Sequence, residues 1–360
     1  MAGRFEQKLF SEIDINDPLF SSLKADYPEF ATAWFPKCIQ GNRKALVFYD
    51  AAGLGAFVAL KRESEPIVLQ DGVIPAVPRL KISTLLLAER FRGQRLGEGA
   101  LGLILWFWQR SKLEEVYVTV FPSHADLIMQ LERFGFQVVG HNARGEKIYL
   151  RSRNDIDFSD PYKSFPFVSP NFEKGGYLIV NDSYHDTLFP HSELKNTPQE
   201  VLNMDAANGV SKVYVGKAWN VHYRIGEPIF IYRRYTGREG RPGYRSCLTS
   251  YCVVTGVVPV KENGRAKMSF DEFVALAGNK TIFDREELKQ RFDNDPNITV
   301  VTMLYCGYFG PGHNLNMMWL KEHGLWADER QYPAQVQLTP AQCRAIWEAA
   351  QVKLDNVFGL

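Results

Sequence analysis

The chain has 360 residues, 45% of them hydrophobic and 23% charged, with a formal net charge of +1. This balance predicts an ordinary globular protein of two domains and gives no whole-chain signal for nucleic acid. The longest apolar run, residues 100–108 with Gly102 inside it, falls far short of the roughly 20 residues a membrane-spanning helix needs.

The N-terminus, Met-Ala-Gly-Arg-Phe-Glu-Gln, lacks a basic segment followed by an apolar one, so no secretory signal is expected. Five cysteines (Cys38, Cys247, Cys252, Cys306, Cys343) are scattered without zinc-ligand spacing. Reduced thiols in a cytoplasmic compartment are therefore expected, with no metal site.

In chain order, residues 17–24 and 27–37 predict short helices anchored by Phe20, Phe30 and Trp34. Residues 43–49 and 54–61 flank Asp50-Ala51-Ala52-Gly53 and predict a hairpin. A β-compatible run at 80–87 is followed by a proline-free stretch at 98–112, long enough for about four helical turns. Between them lies Arg92-Gly93-Gln94-Arg95-Leu96-Gly97. At a helix start the first N–H groups lack intrahelical partners and the macrodipole is positive, so a turn here suits an anionic diphosphate. Gly93 and Gly97 permit close backbone approach, and Arg92 and Arg95 add charge. Residues 115–121 then alternate as a strand. Residues 123–134 predict a helix capped by Ser123 and ended by Gly135-Phe136, and 146–151 supply another strand.

This order, with its closing Gly-Phe pair, resembles the GNAT N-acetyltransferase superfamily over about residues 5–152. The resemblance implies an α/β domain with splayed central strands and acetyl-CoA in the gap. Leu85, Leu86 and Leu87 would then face the pantetheine arm, and Arg92, Gly93, Gln94, Arg95, Leu96 and Gly97 the pyrophosphate. Two departures stand out: Arg95 occupies a position that is usually Gly, and Leu131 one that is often a proton-donating Tyr. Starting the family's turn motif at Gln94 would restore both glycines as Gly97 and Gly99 but move the turn two residues into the helix; with the preferred start at Arg92, Arg95 either contacts phosphate through its side chain or weakens binding. An amine nucleophile must lose its proton during attack, so other groups are needed. The candidates are Glu89 after the fourth strand, Tyr117 with Thr119 on the fifth, and His124 at the next helix start. With no cysteine near the turn, attack would be direct.

Residues 153–174, with Pro161, Pro166 and Pro170, read as a linker whose Phe165, Phe167 and Phe172 dock on a surface. Beyond it, Gly175-Gly176 opens a strand and residues 184–190 read as a loop. Strands follow at 212–216, 228–233, 247–258 and 299–308, with helices at 269–277 and 284–292. Many short strands with interspersed helices imply a small mixed β-barrel. The order resembles the PUA-like superfamily, in particular its ASCH and EVE branches, over about 175–345. Gly216-Lys217-Ala218-Trp219 matches only the beginning of the ASCH signature, so an ASCH-type hydrolase activity does not carry over. Such modules bind RNA or modified bases, and here basic and aromatic residues interleave between Lys212 and Arg245. That pattern suits stacking platforms with phosphate contacts. The expected contacts are Lys217, Trp219, Arg233, Arg234 and Tyr235, with Trp219 and Arg233 foremost. His185, His191, His222 and His313 have no metal-motif spacing.

The expectation is therefore an α/β domain (1–152), a linker (153–174) and a PUA-like β-barrel (175–360). The first would transfer acetyl from acetyl-CoA to an amine, and the second would recruit an RNA or DNA acceptor, such as a modified base or an aminoacyl-tRNA. The alternative is a non-catalytic nucleic-acid or modified-base binding protein with a degenerate acetyltransferase fold. A protein-directed acetyltransferase is a third possibility. The sequence carries no information on oligomeric state.

Overall fold

The computed structural model describes residues 5–195, 204–217, 221–237, 245–326 and 336–360. The chain divides into two compact units, Met1–Ile104 with Ser111–Asp155 and Leu105–Arg110 with Ile156–Leu360.

The first unit is built on a seven-stranded sheet. Its strands in chain order are β1 (Glu6–Leu9), β2 (Lys44–Asp50), β3 (Gly53–Glu63), the small separate hairpin β4 (Ile67–Leu69) and β5 (Gly72–Ile74), β6 (Arg79–Leu87), β7 (Glu115–Val120), β8 (Gln137–His141) and β9 (Lys147–Ser152). The order across the sheet is β1-β2-β3-β6-β7-β9-β8, and only β6 and β7 run parallel. Residues 54–59 of β3 are buried without alternation, as expected of a strand covered on both faces. On one face Phe57 meets Phe10 at 5.6 Å and Phe20 at 5.0 Å between ring centroids, in edge-to-face pairs that stabilise the core beyond their area.

The N-terminal helices form this aromatic layer. The segment Phe30–Trp34 is a π-helix that runs into the helix Phe35–Gln40. Pro36 explains the widened turn: it has no N–H for the preceding turn, and Phe35 N–H bonds five residues back to Phe30 O. Asp17 ties the layer to the sheet, since Oδ1 accepts from Leu19 N at 2.9 Å and Oδ2 from Leu54 N at 3.1 Å. Asp17→Ala removes both bonds and should cost about 1–2 kcal/mol by denaturant unfolding, near the upper end for a cap.

Two local features set the geometry between β6 and β7. The first residue pair, Arg79 and Glu115, is an ion pair with Arg79 only 1% exposed, and Arg79 Nη1 also donates to Glu65 O at 3.0 Å. The β6–β7 pairing then ends at Ile82 opposite Val118, although β6 continues to Leu87 and β7 to Val120. At the same place the β3–β6 register shifts: Ala59 faces Thr84 and Leu60 faces Ile82, leaving Ser83 as the extra residue of a bulge. A bulge bends its strand and increases the twist. The two strands are therefore pinned at one end and part beyond Ser83.

The second unit contains β10 (Gly175–Asn181), β11 (Ser211–Gly216), β12 (Pro228–Arg234), β13 (Cys247–Glu262), β14 (Arg265–Ala266), β15 (Ile298–Tyr308), β16 (Leu315–Asn316) and β17 (Gln337–Leu338). The order is β11-β15-β13-β12-β10-β17, with β14 and β16 added to β13. The expected barrel is not formed. Closure needs hydrogen bonds between the first and last strands, whereas among the described residues β11 pairs with β15 and β17 with β10. The sheet is instead open and bent, with three register shifts along the β13–β15 pair.

Residues 182–188, largely expected as loop, form the helix Asp182–Leu188. Its buried His185, Thr187 and Leu188 supply an inner face that the neighbouring turn-forming residues obscure in the sequence. Within the expected linker, Phe165, Phe167 and Phe172 are buried, and Phe172 meets Trp347 at 6.0 Å. A second cluster (Val213, Val215, Phe273, Leu288, Ile298 and Val300) packs the helices Phe270–Ala277 and Arg285–Asn294 against the sheet. Each of these helices starts at a complete capping box, Ser269 with Glu272 and Asp284 with Glu287.

Candidate functional site

Where β6 and β7 part, the first unit encloses a cavity of about 770 Å³. Residues 81–86 of β6 and 118–121 along and after β7 form two walls, and the π-helix residues Phe30 and Trp34 form a third. Most of its exposed lining is apolar, but charged side chains of both signs reach it, among them Asp26, Glu29, Lys37, Lys61 and Lys81, and its size suits a small molecule.

Its most distinctive polar group is Glu146, which is only 4% exposed. Oε1 accepts a short hydrogen bond from Tyr27 Oη, and Oε2 accepts from Asn142 Nδ2 at 2.6 Å. Local sequence builds this arrangement. Asn142 Oδ1 accepts from both Arg144 N and Glu146 N, closing the β8–β9 turn and aiming the carboxylate inward. The Arg144 guanidinium lies 5.4 Å from the Tyr27 ring centroid. Burial, followed by the bond to Glu146, raises the Tyr27 phenol well above its usual value, so Tyr27 stays protonated and can act only as a donor or a holder. Sequence reading missed Tyr27, Asn142 and Glu146. An Asn-x-x-x-Glu turn was the available signal, but Tyr27 lies 119 residues from its partner.

Of the three expected acid–base residues, the structure brings only His124 to this cavity. His124 is exposed and precedes the helix Ala125–Arg133 without a capping bond. Tyr117 does not line it: its ring is buried beneath the β4–β5 hairpin and its hydroxyl donates to Glu63. Burial and then that bond push the Tyr117 phenol upward, away from any role near neutral pH. Glu89 is exposed in the short turn Glu89–Phe91 after β6 and is also not among the lining residues. Thr119 does line the cavity, as does Cys38, a cysteine the sequence reading did not associate with the site. Cys38 is buried and accepts from Arg43 Nη1 at 3.2 Å, and burial raises its thiol. Such a thiol is a poor nucleophile.

Leu85 and Leu86 line the cavity, and Leu87 is more exposed beyond it. The turn 92–97 lies outside the lining and opens the helix Leu96–Arg110. Gly93 has φ +79° and Arg95 φ +61°, both in the left-handed region. Arg95 thus pays the roughly 1–2 kcal/mol that a side chain costs in that region. The Arg95 side chain does not extend outward; it is 7% exposed and bonds Glu98, with Nη2 to Oε1 at 3.0 Å. Gln94 N–H is directed to Phe91 O at 3.1 Å. A Cβ at Gly97 would stand 2.9 Å from Leu87 Cδ1, so the helix start packs close against the end of β6. Arg92 is exposed and pairs with no carboxylate among the described residues. The turn thus offers a helix N-terminus, an uncompensated guanidinium and close strand–helix packing. These features fit a diphosphate beside the parted strands, with Arg95 set aside as a ligand.

In the second unit the expected contacts separate. Arg233 is only 6% exposed and its guanidinium grips Asp186, Nε to Oδ1 at 2.9 Å and Nη2 to Oδ2 at 3.2 Å. Asp186 also holds His185 Nδ1 at 2.8 Å, and His185 Nε2 meets Thr249 Oγ1 at 2.7 Å. This is a buried polar network, and Arg233 is not available to a ligand. Lys212 is likewise buried, donating to Ala206 O at 2.7 Å. Lys217 and Arg234 are exposed, and Tyr235 is half-buried under Arg245. Trp219 lies outside the described residues. No group of three metal-ligating side chains occurs among the described residues, and none of their helices is long and apolar enough to cross a membrane.

No protein-family model matches the chain, and no curated protein matches it with significance. Among solved structures it is similar to Ard1 from Thermoplasma volcanium, at 14% identity over 42% of this chain and 98% of that one, with a TM-score of 0.27. It is similar to the PaiA N-acetyltransferase from Thermoplasma acidophilum in complex with coenzyme A, at 13% identity over 42% and 99%, with a TM-score of 0.30. An ASCH protein from Zymomonas mobilis is 11% identical over 46% and 87%, with a TM-score of 0.29.

Proposed function

We propose that the first unit transfers an acetyl group from acetyl-CoA to an amine, and that the second recruits a nucleic-acid-linked acceptor. The observation that carries the first part is the parting of β6 and β7 after Ile82, with a cavity between them and a helix N-terminus beside the end of β6. When bound there, acetyl-CoA supplies an activated thioester. Backbone groups of residues 83–87 would hold the pantetheine arm, because β6 continues past its last pairing with β7. The first turn of Leu96–Arg110 and Arg92 would hold the diphosphate. Arg92→Ala should therefore weaken acetyl-CoA binding about five- to tenfold in calorimetry and leave the melting temperature unchanged, as expected for one exposed charge–phosphate contact.

Glu146 is the group suited to receive the acceptor amine's proton. Its carboxylate lines the cavity, and each oxygen keeps a lone pair beyond its bond to Tyr27 or Asn142. Tyr27, kept protonated by burial and by Glu146, holds that carboxylate in place through the hydrogen bond from Oη. Trp34, Phe30 and Phe121 supply apolar wall to the same space. These roles replace those expected of Glu89 and of Tyr117, neither of which lines the cavity, while His124 does. Mixing acetyl-CoA with candidate amines and following thiol release tests this reading.

For the second unit, the exposed Lys217 and Arg234 with half-buried Tyr235 support contact with nucleic acid. Salt-sensitive retention of RNA or DNA by the full chain tests that part.

A further inference from the structure

A second cavity, of about 330 Å³, lies wholly within the second unit, between β10, β11 and the segment before helix Arg285–Asn294. Its charge is one-sided. Lys217, Arg234 and Arg291 line it, and no Asp or Glu does. Lys217 reaches Asp295 at 2.7 Å, but Arg234 bonds the neutral amide of Asn181 and Arg291 stacks 3.9 Å from the Phe283 ring centroid. Neither guanidinium pairs with a carboxylate among the described residues. Two uncompensated cations facing one small space favour an anion of matching size.

The remaining walls call for an aromatic heterocycle. Phe283 and Tyr214 present rings, and the Tyr214 ring is laid against Gly216, where a Cβ would come within 2.5 Å of Tyr214 Cε1. Thr281, also in the lining, is 2% exposed, and its Oγ1 has no hydrogen-bond partner among the described residues. A buried hydroxyl left unpaired costs free energy, and this one faces a cavity able to hold its partner.

We propose that this cavity binds a single nucleotide. Its base lies against Tyr214 with an edge on Thr281 Oγ1, and its phosphate meets Arg234 and the Arg291 guanidinium that Phe283 holds in place. The inference rests on the nucleic-acid part of the reading above and gives it a location that does not include the buried Arg233. The nucleotide is either free or one residue of a single strand.

Calorimetric titration of the full chain with AMP, CMP, adenosine, inorganic phosphate and a five-residue single-stranded RNA tests it. AMP or CMP should bind at least about tenfold more tightly than adenosine or phosphate, since each of these lacks half the contacts. Thr281→Val should weaken nucleotide binding about tenfold, the worth of one hydrogen bond to a buried group, with an equal or higher melting temperature. Arg234→Gln, at an exposed position, should lower affinity for AMP but not for adenosine. Binding of the mononucleotide alone assigns the free ligand, and tighter binding of the pentanucleotide assigns the strand. Absence of binding by all five probes at millimolar concentration overturns the proposal. So does binding that neither substitution changes. In that last case salt-sensitive RNA retention would still support nucleic-acid recruitment, so the two failures are distinguishable, and neither bears on acetyl-CoA.

Discussion

Glu146→Gln is expected to reduce turnover about 10²- to 10⁴-fold while leaving acetyl-CoA affinity and melting temperature close to wild type. The substitution keeps the shape of the side chain, with its one oxygen accepting from Asn142 Nδ2 and its amide donating to Tyr27 Oη, but removes the basic function of the buried carboxylate. A structural role alone predicts the reverse pattern, with a lower melting temperature and modest loss of rate. Tyr27→Phe separates the partners: it deletes the hydroxyl bond to Glu146 and leaves the carboxylate, so it should cost less turnover than Glu146→Gln. Single-turnover thiol release and thermal melts on the same preparations distinguish these outcomes.

The largest stability effect is expected at Arg79. This side chain is almost fully buried and pairs with Glu115 across the first register position of β6 and β7. Its guanidinium also satisfies the carbonyls of Glu65 and Pro75. Arg79→Ala leaves Glu115 unpaired beside two carbonyls without donors, and breaking a buried pair in this way costs about 3–5 kcal/mol. For a unit of this size that is a melting shift on the order of 10 °C. Glu115→Gln should cost much less, because the guanidinium keeps its carbonyl acceptors. Acetyl-CoA affinity should also fall in Arg79→Ala, because this ion pair fixes the closed end from which the strands diverge.

The strands that carry the first unit were legible where alternation or apolar runs were long, at 43–49, 54–61, 80–87, 115–121 and 146–151. The short strands β1, β4, β5 and β8 were not: three to five residues give too little periodicity to register. The parting of β6 and β7 was anticipated by resemblance, but its physical origin, a bulge at Ser83 opposite β3, depends on a register between strands that no local pattern encodes. Glu146 reads in sequence as the first polar residue of a strand. Only tertiary contact brings Tyr27 to it and removes both from water.

The second unit shows the same limit in another form. Arg233 sits in an alternating stretch of aromatic and basic residues and so looked accessible. Its partner Asp186 lies in a helix read as a loop, and without that helix there was no acid to bury it. Arg291 and Thr281 went unnoticed because their neighbours in space, on β10 and β11, are far away in the chain. Closure of the sheet was misjudged for a related reason, since strand count is local information and the pairing of first with last strand is not.

The central claim is that the parted strands receive acetyl-CoA. Calorimetric titration of the full chain with acetyl-CoA measures it most directly. One-site binding in the micromolar range is expected, weakened about five- to tenfold by Arg92→Ala and unchanged by Glu146→Gln. No binding heat up to high micromolar concentration at two temperatures, with a correctly folded chain, would contradict it.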